Sequence, residues 1–535
     1  MAEIAAADKQ KGILGWIERT GNKLPDPVFI FIYLVGGLVV VSIIAALAGL
    51  SAVHPTRIDA ETGAPVTIAA QSLISAENLR RLWIDMPATF THFHPLGYVL
   101  VVMLGAGVAE CSGLFGTAMR ASVANAPAVL LTPMVAFVAM MGNLAADAAY
   151  VVLVPLAGII YAAAGRHPIA GIAAAFAGVS GGFSANLLPG QLDALLFGIT
   201  QEAAQLLDPD WTINIAGNWF FMAALLVFYI PAIWYVTDRI IEPRLGSYIP
   251  QGEAALIAGA VEDAAEGEGR LSDAQRKGLR WGGLAMLAVV GLWALMTLVP
   301  GAPLLDANAS LPEARLTPFY QSLVAGFFLL FLAGGWAYGK AAGTIRDHRD
   351  VVKMMTGAMS DLAYYLVLAF AAAHFVAMFG WSNLGLIFAI HGASGLEAVA
   401  LPTPLLLVLL VMFTTVLNLF IGSASAKWAL LAPVLVPMLM LLGISAETTT
   451  AAYRVGDGAT NIISPLMVYF PLILIYCQRW VGNFGLGSLA AMMLPYSFWL
   501  LAVGLALLVG WTVLEIPLGP NAPVHLSVPE VVTAG

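Results

Sequence analysis

The chain has 535 residues, 60% of them hydrophobic and only 10% charged, against about 25% charged in an ordinary soluble domain. Its mean hydropathy is +0.87, and apolar runs long enough to span a bilayer recur from Pro27 to Trp511. The formal charge of −9 comes without any basic patch interleaved with aromatics, so nucleic acid is not an expected partner. The composition calls for an all-α polytopic membrane protein.

In chain order, residues 1–26 are polar and basic, carry no cleavage pattern, and read as a cytoplasmic N-terminus. A single membrane domain is expected over 27–511, followed by a periplasmic tail at 512–535. Simple spans fall at about 27–50, 95–115, 216–238, 281–300, 318–338, 358–380 and 486–511. Residues 51–94 read as a solvated linker with a short helix near Ala76–Trp83. The cytoplasmic loop 239–280 holds an acidic linker with Glu262, Asp263, Glu266 and Glu268. Cys111 and Cys477 both lie in apolar segments and read as small core residues.

Four segments resist simple reading. Residues 126–164 and 402–441 are too long for one crossing and carry polar kinks at Gly142–Asp147 and Gly422–Lys427. Each fits a re-entrant hairpin. Residues 168–205 and 446–478 carry Gly/Asn/Pro breaks at Ser184–Pro189 and Ala459–Pro465, and each fits one crossing made of two half-helices. The expected architecture is nine transmembrane helices plus two opposed re-entrant hairpins, with helices broken at the midplane. An N-terminus in the cytoplasm puts 17 of the 23 basic residues on the inner side, as the positive-inside rule asks. An odd number of crossings then separates the hairpins, so residues 95–238 and 358–511 form inverted repeats.

Charges at bilayer depth cost a few kcal/mol each and are functional candidates. Asp193 and Asp457 flank the two breaks. Either could cap a half-helix, bind Na⁺ through oxygen, or relay protons. Arg454 stands three residues before Asp457, so the two could form an ion pair, or Arg454 could present its planar fork to a carboxylate. Trp428 beside the second kink could pack or stack on a ring-bearing substrate. Lys427 calls for an acid that the sequence does not name. Asn143, Ser184, Asn186, Asn418, Ser423, Ser425, Thr460 and Asn461 offer neutral oxygens for a cation or for frayed helix ends. Glu110, Asp147 and His374 carry less weight. No nucleophile elbow, Walker loop or His-Glu-x-x-His occurs, so neither an enzyme nor an ATP-driven pump is expected.

Several runs are specific enough to carry a resemblance: Gly165-Arg166-His167-Pro168-Ile169-Ala170-Gly171, Ile421-Gly422-Ser423-Ala424-Ser425-Ala426-Lys427-Trp428, Ala452-Tyr453-Arg454-Val455-Gly456-Asp457 and Met493-Leu494-Pro495-Tyr496-Ser497. With Leu24-Pro25-Asp26-Pro27 and Ala173–Gly182, the chain resembles the AbgT family of p-aminobenzoyl-glutamate transporters, in its YdaH and MtrF branch, from about residue 13 to 525. The resemblance implies a homodimeric bacterial inner-membrane carrier, coupled to an H⁺ or Na⁺ gradient and without a cofactor. It implies transport of p-aminobenzoyl-glutamate and export of sulfonamide antimetabolites. Family positions carry over onto Asp193, Asn418, Ser425, Trp428, Arg454, Asp457 and Pro465; a further family proline aligns near Ala446 and is not carried over. For cation binding the candidates are Asn143, Ser184, Asn186, Asn418, Ser423, Asp457 and Asn461. A sodium-coupled dicarboxylate carrier of related architecture is the alternative.

Overall fold

The computed structural model describes residues 25–526 except 59–62, 125–126, 146–147, 247, 249–270, 300, 308–312, 465–466 and 468. The expectations placed on Asp147, Pro465 and the acidic cluster of the long cytoplasmic loop lie outside the described residues.

Helix α1 (Pro27–Leu47) starts where Asp26 accepts the Val28 N–H at 2.8 Å, with Pro27 in the first turn. The segment that follows is more than a linker. Strands β1 (Ser51–Ile58) and β2 (Pro65–Ala69) form an antiparallel hairpin, and α2 (Ala76–Thr91) runs well past the expected short helix. The hairpin end is tied down: Gln71 N–H donates to the Ser382 carbonyl at 3.0 Å, Asn383 Nδ2 to the Ala69 carbonyl at 2.8 Å, and Leu73 N–H to Ser42 Oγ at 3.0 Å. Backbone pairing and these docking bonds fix a segment whose apolar alternation is confined to Val66 and Ile68.

Two series of elements then repeat in the same order. The first runs α3 (His94–Cys111), α4 (Leu114–Ala124), α5 (Leu131–Met141), a 3₁₀ turn at Gly142–Ala145 and α6 (Ala148–Ala163). It continues with α7 (Pro168–Phe176), which ends in a π-turn at Ala177–Gly181, then α8 (Gln191–Ala204) and α9 (Trp219–Val236). After α10 (Glu242–Leu245), α11 (Asp273–Leu298), α12 (Thr317–Gln321), α13 (Leu323–Ala342) and the amphipathic α14 (His348–Asp361), the second series begins. It consists of α15 (Ala363–Trp381), α16 (Leu384–Val399), α17 (Thr403–Asn418), a non-helical turn, α18 (Ala424–Leu441), α19 (Ala446–Asn461), a break, α20 (Phe470–Trp480) and α21 (Leu486–Val513). The short helices α4 and α16 were not foreseen.

Among the described residues, eight helices are long and apolar enough to cross a membrane. Seven coincide with the seven simple spans, and the eighth is α18. The eleven residues of α5 reach only about 16 Å, half of a hydrocarbon core of about 30 Å. Helix α11 keeps only 11% of its apolar window buried and points Leu284, Leu287 and Leu295 outward, as a lipid-facing helix would. The broken helices lie innermost: every residue of α7 and of α19 is buried.

Glycine permits that central packing in both series. A Cβ on Gly178 would come within 2.5 Å of the Ala139 Cβ and 3.0 Å of the Ala136 carbonyl oxygen, in α5. A Cβ on Gly456 would strike Thr414 Oγ1 and lie 2.5 Å from the Val411 carbonyl oxygen, in α17. Each broken helix therefore lies backbone-close on the helix that precedes its polar turn. After α21 the tail folds back, with Ser445 N–H donating to the Val524 carbonyl at 3.1 Å and Leu526 N–H to the Gly443 carbonyl at 2.8 Å.

Candidate functional site

Both interrupted regions send polar groups into one cavity of about 390 Å³. Asn143 reaches it from the turn after α5, Ser423 from the turn before α18, and Ser425 from the first turn of α18. The first break contributes Phe183 and Asn186, α8 contributes Asp193, and α19 contributes Arg454. Tyr150 and Tyr365 complete an aromatic side.

Asp193 does two jobs. As the third residue of α8 its Oδ2 accepts the Gly190 N–H at 2.7 Å, which caps a half-helix born inside the protein. Its Oδ1 meets Arg454 Nη1 at 2.5 Å, with both side chains no more than 3% exposed. The capping role that the sequence offered for Asp193 is present, and an ion pair with Arg454 accompanies it. Five buried polar atoms at or beside the cavity bond to no described residue: Asn143 Nδ2, Ser184 Oγ, Asn186 Oδ1, Tyr365 Oη and Arg454 Nε. Each such atom costs about 1–3 kcal/mol while unsatisfied. A polar ligand seated in the cavity would relieve that cost.

The Arg454–Asp457 pair, one of the two readings that the spacing allowed, does not form. Three residues apart on α19, the two charges reach different neighbours, and Asp457 pairs with Lys427 of α18 in a second, separate cluster. Lys427 also donates to Asn418 Oδ1. The Asn418 amide nitrogen in turn donates to the Asp457 carbonyl at 2.6 Å, Thr460 Oγ1 at 3.0 Å and Asn461 Oδ1 at 2.8 Å. Every member of this cluster is buried. The candidate residues thus divide. Asp193, Arg454, Ser425, Asn143, Asn186 and Ser423 line the cavity, with Ser184 beside it, while Asn418, Asp457 and Asn461 lie behind it with Lys427.

Residues 12–526 match the model of the "AbgT putative transporter family". The chain belongs to the AbgT family. This AbgT chain is 36% identical over 529 residues to the p-aminobenzoyl-glutamate transport protein of Escherichia coli (strain K12), covering 98% of itself and 100% of that protein. The solved structure of the Alcanivorax borkumensis YdaH transporter superposes with a TM-score of 0.83 at 40% identity, covering 93% of this chain and 100% of that one. That of Neisseria gonorrhoeae MtrF, from a class of antimetabolite efflux pumps, gives 0.87 at 41% identity, covering 95% and 100%. The protein is an integral membrane transporter.

In this AbgT transporter Trp428 is not a cavity wall. It is fully buried, stacks on Tyr453 with centroids 4.4 Å apart, and donates Nε1–H to Thr200 Oγ1 at 2.8 Å. Thr200 also lies 2.9 Å from Thr450 Oγ1, so it joins α8, α18 and α19. Sequence reasoning passed over Thr200, although it lies two helical turns beyond Asp193 on the same face of α8. It also passed over the wall residues Tyr150, Phe183 and Tyr365. Tyr150 stacks on Tyr469 at 4.3 Å, which draws α6 to the second break. Among the described residues no three His, Cys, Asp or Glu side chains gather as a metal site.

Proposed function

We propose that this AbgT transporter moves p-aminobenzoyl-glutamate, and sulfonamides that share its aminobenzene portion, across a bacterial inner membrane by alternating access. The carrying observation is the 390 Å³ cavity between the two polar turns, with the Asp193–Arg454 pair on its wall and unsatisfied polar atoms around it. The volume suits a drug-sized ligand. Arg454 Nε is a free donor for a glutamate carboxylate, and Phe183, Tyr150 and Tyr365 offer faces for the ring. Each cavity turn joins helices of one repeat, so motion of one repeat against the other would open the cavity to alternate sides.

The repeated order of elements supports inverted repeats at 95–238 and 358–511. The short α5 and the turn after it support a re-entrant hairpin, as the α17–α18 turn does for the second. Seven simple spans and two broken ones make nine crossings, with the N-terminus cytoplasmic and the C-terminus periplasmic. An H⁺ or Na⁺ gradient drives the cycle, and the carrier works as a homodimer in the direction of export.

The test is flux in purified proteoliposomes with H⁺ and Na⁺ gradients imposed separately. Gradient-dependent movement of p-aminobenzoyl-glutamate, displaced by sulfonamides, is the expected result. Displacement by succinate in preference to p-aminobenzoyl-glutamate would favour a dicarboxylate carrier instead.

A further inference from the structure

We propose that Tyr365 and Ser425 hold the aromatic amine of the cargo, in a slot that adjoins the cavity. The slot has a volume of about 10 Å³, room for one water-sized group. It shares Leu195, Tyr365 and Ser425 with the cavity, so the two spaces meet along α8, α15 and the first turn of α18. Its other walls are apolar, Phe93, Ile199 and Ala372 among them, and none of the described residues that line it is charged. The Tyr365 hydroxyl is buried and bonds to no described residue. Ser425 Oγ lies 3.3 Å from Ser423 Oγ. A hydroxyl both donates and accepts, so each oxygen keeps a place for an N–H.

These features select among the ends of a ligand. A carboxylate or an alkylammonium would lose its hydration in the slot and meet no opposite charge there. An aromatic amine is neutral, because its lone pair is drawn into the ring. It is close to water in size and carries two N–H donors. Arg454 and Asp193 line the cavity but not the slot, so a carboxylate at Arg454 and an amine in the slot belong to opposite ends of one molecule. The inference rests on the carrier reading above and deepens it. Sulfonamides lack the glutamate, and the amine end is what they share with p-aminobenzoyl-glutamate.

The test is titration calorimetry on the purified full chain with three ligands: p-aminobenzoyl-glutamate, benzoyl-glutamate, which lacks the amine, and p-dimethylaminobenzoyl-glutamate, whose two methyls remove both N–H groups and outgrow the slot. Wild type should bind the first about 10-fold more tightly than either of the others. In Tyr365→Phe that preference should shrink to about 2-fold or less, through weaker binding of p-aminobenzoyl-glutamate. The melting temperature of Tyr365→Phe without ligand should equal or exceed that of wild type, because the variant removes a buried hydroxyl that has no partner. Equal binding of the three ligands by wild type overturns the proposal and leaves the carrier reading standing. A preference that survives in Tyr365→Phe also overturns it. So does a uniform loss of affinity for all three joined to a lower melting temperature, which would make Tyr365 a packing residue. Wild type that binds none of the three overturns the carrier reading itself, and this inference with it.

Discussion

Arg454 and Asp193 stand 261 positions apart and meet at 2.5 Å, nearly buried, on the wall of the cavity. The pair joins the half-helix that follows the first break to the half-helix that precedes the second. Removing one partner strands the other's charge, a loss of about 3–5 kcal/mol for a buried pair. Asp193→Asn should therefore lower thermal stability sharply. Asp193→Asn/Arg454→Met should recover much of that stability without recovering flux. Melting temperatures of the two variants, read beside transport, check this.

Arg454→Lys keeps the charge and loses the planar fork. Charge-assisted hydrogen bonds contribute about 1.5–3 kcal/mol each, so p-aminobenzoyl-glutamate affinity should fall by roughly 10- to 100-fold. Binding by titration calorimetry decides it; unchanged affinity removes Arg454 from the carboxylate site.

Trp428→Phe should act on stability more than on substrate affinity. The variant loses the Nε1–H bond to Thr200 and keeps an aromatic ring on Tyr453. A cost of about 1 kcal/mol is expected, with KM close to that of wild type. A large rise in KM without loss of stability would return Trp428 to the cavity wall.

Much of this was legible in the sequence because bilayer physics writes itself into composition. The seven simple spans, the polar turns at Gly142 and Gly422 and the breaks after Phe183 and Asn461 follow from lengths, polarity and Gly/Pro placement. The partners of the charges did not follow. Spacing favours an Arg454–Asp457 pair, but α8 and α18 both pack on α19, and tertiary contact overrides the local neighbour. Which way Trp428 points from its turn is likewise set by Thr200 and Tyr453, from other helices. The β-hairpin at Ser51–Ala69 escaped notice because the apolar face of β2 is only Val66 and Ile68, too short a run to stand out in the sequence.

Gly456→Ala should cost at least about 1–3 kcal/mol through overpacking. The added methyl would meet Thr414 and the Val411 carbonyl, and would push α19 off α17 where Asn418 grips it. The melting temperature should fall. Tolerance of alanine would mean that the two helices sit farther apart than described.

His167 lies in the turn between α6 and α7, where its Nδ1 accepts the Ile169 N–H at 3.3 Å as the cap of α7. Burial holds its pKa below the ordinary 6.5, against an upward pull from Glu242. The folded state therefore binds fewer protons than the unfolded state near that value. The stabilisation is complete above the ordinary histidine range and is lost as pH falls through the lowered folded value. Melting curves taken between about pH 5 and 8 should lose part of their acid-side slope in His167→Asn, which keeps a cap and does not titrate.

The most direct test places a single cysteine at Ser425, on the cavity wall, in a chain whose native Cys111 and Cys477 are replaced. A membrane-impermeant thiol reagent is added to proteoliposomes with and without saturating p-aminobenzoyl-glutamate. Modification should stop flux, and substrate should slow modification. Flux that survives full labelling, with a labelling rate indifferent to substrate, would contradict the account.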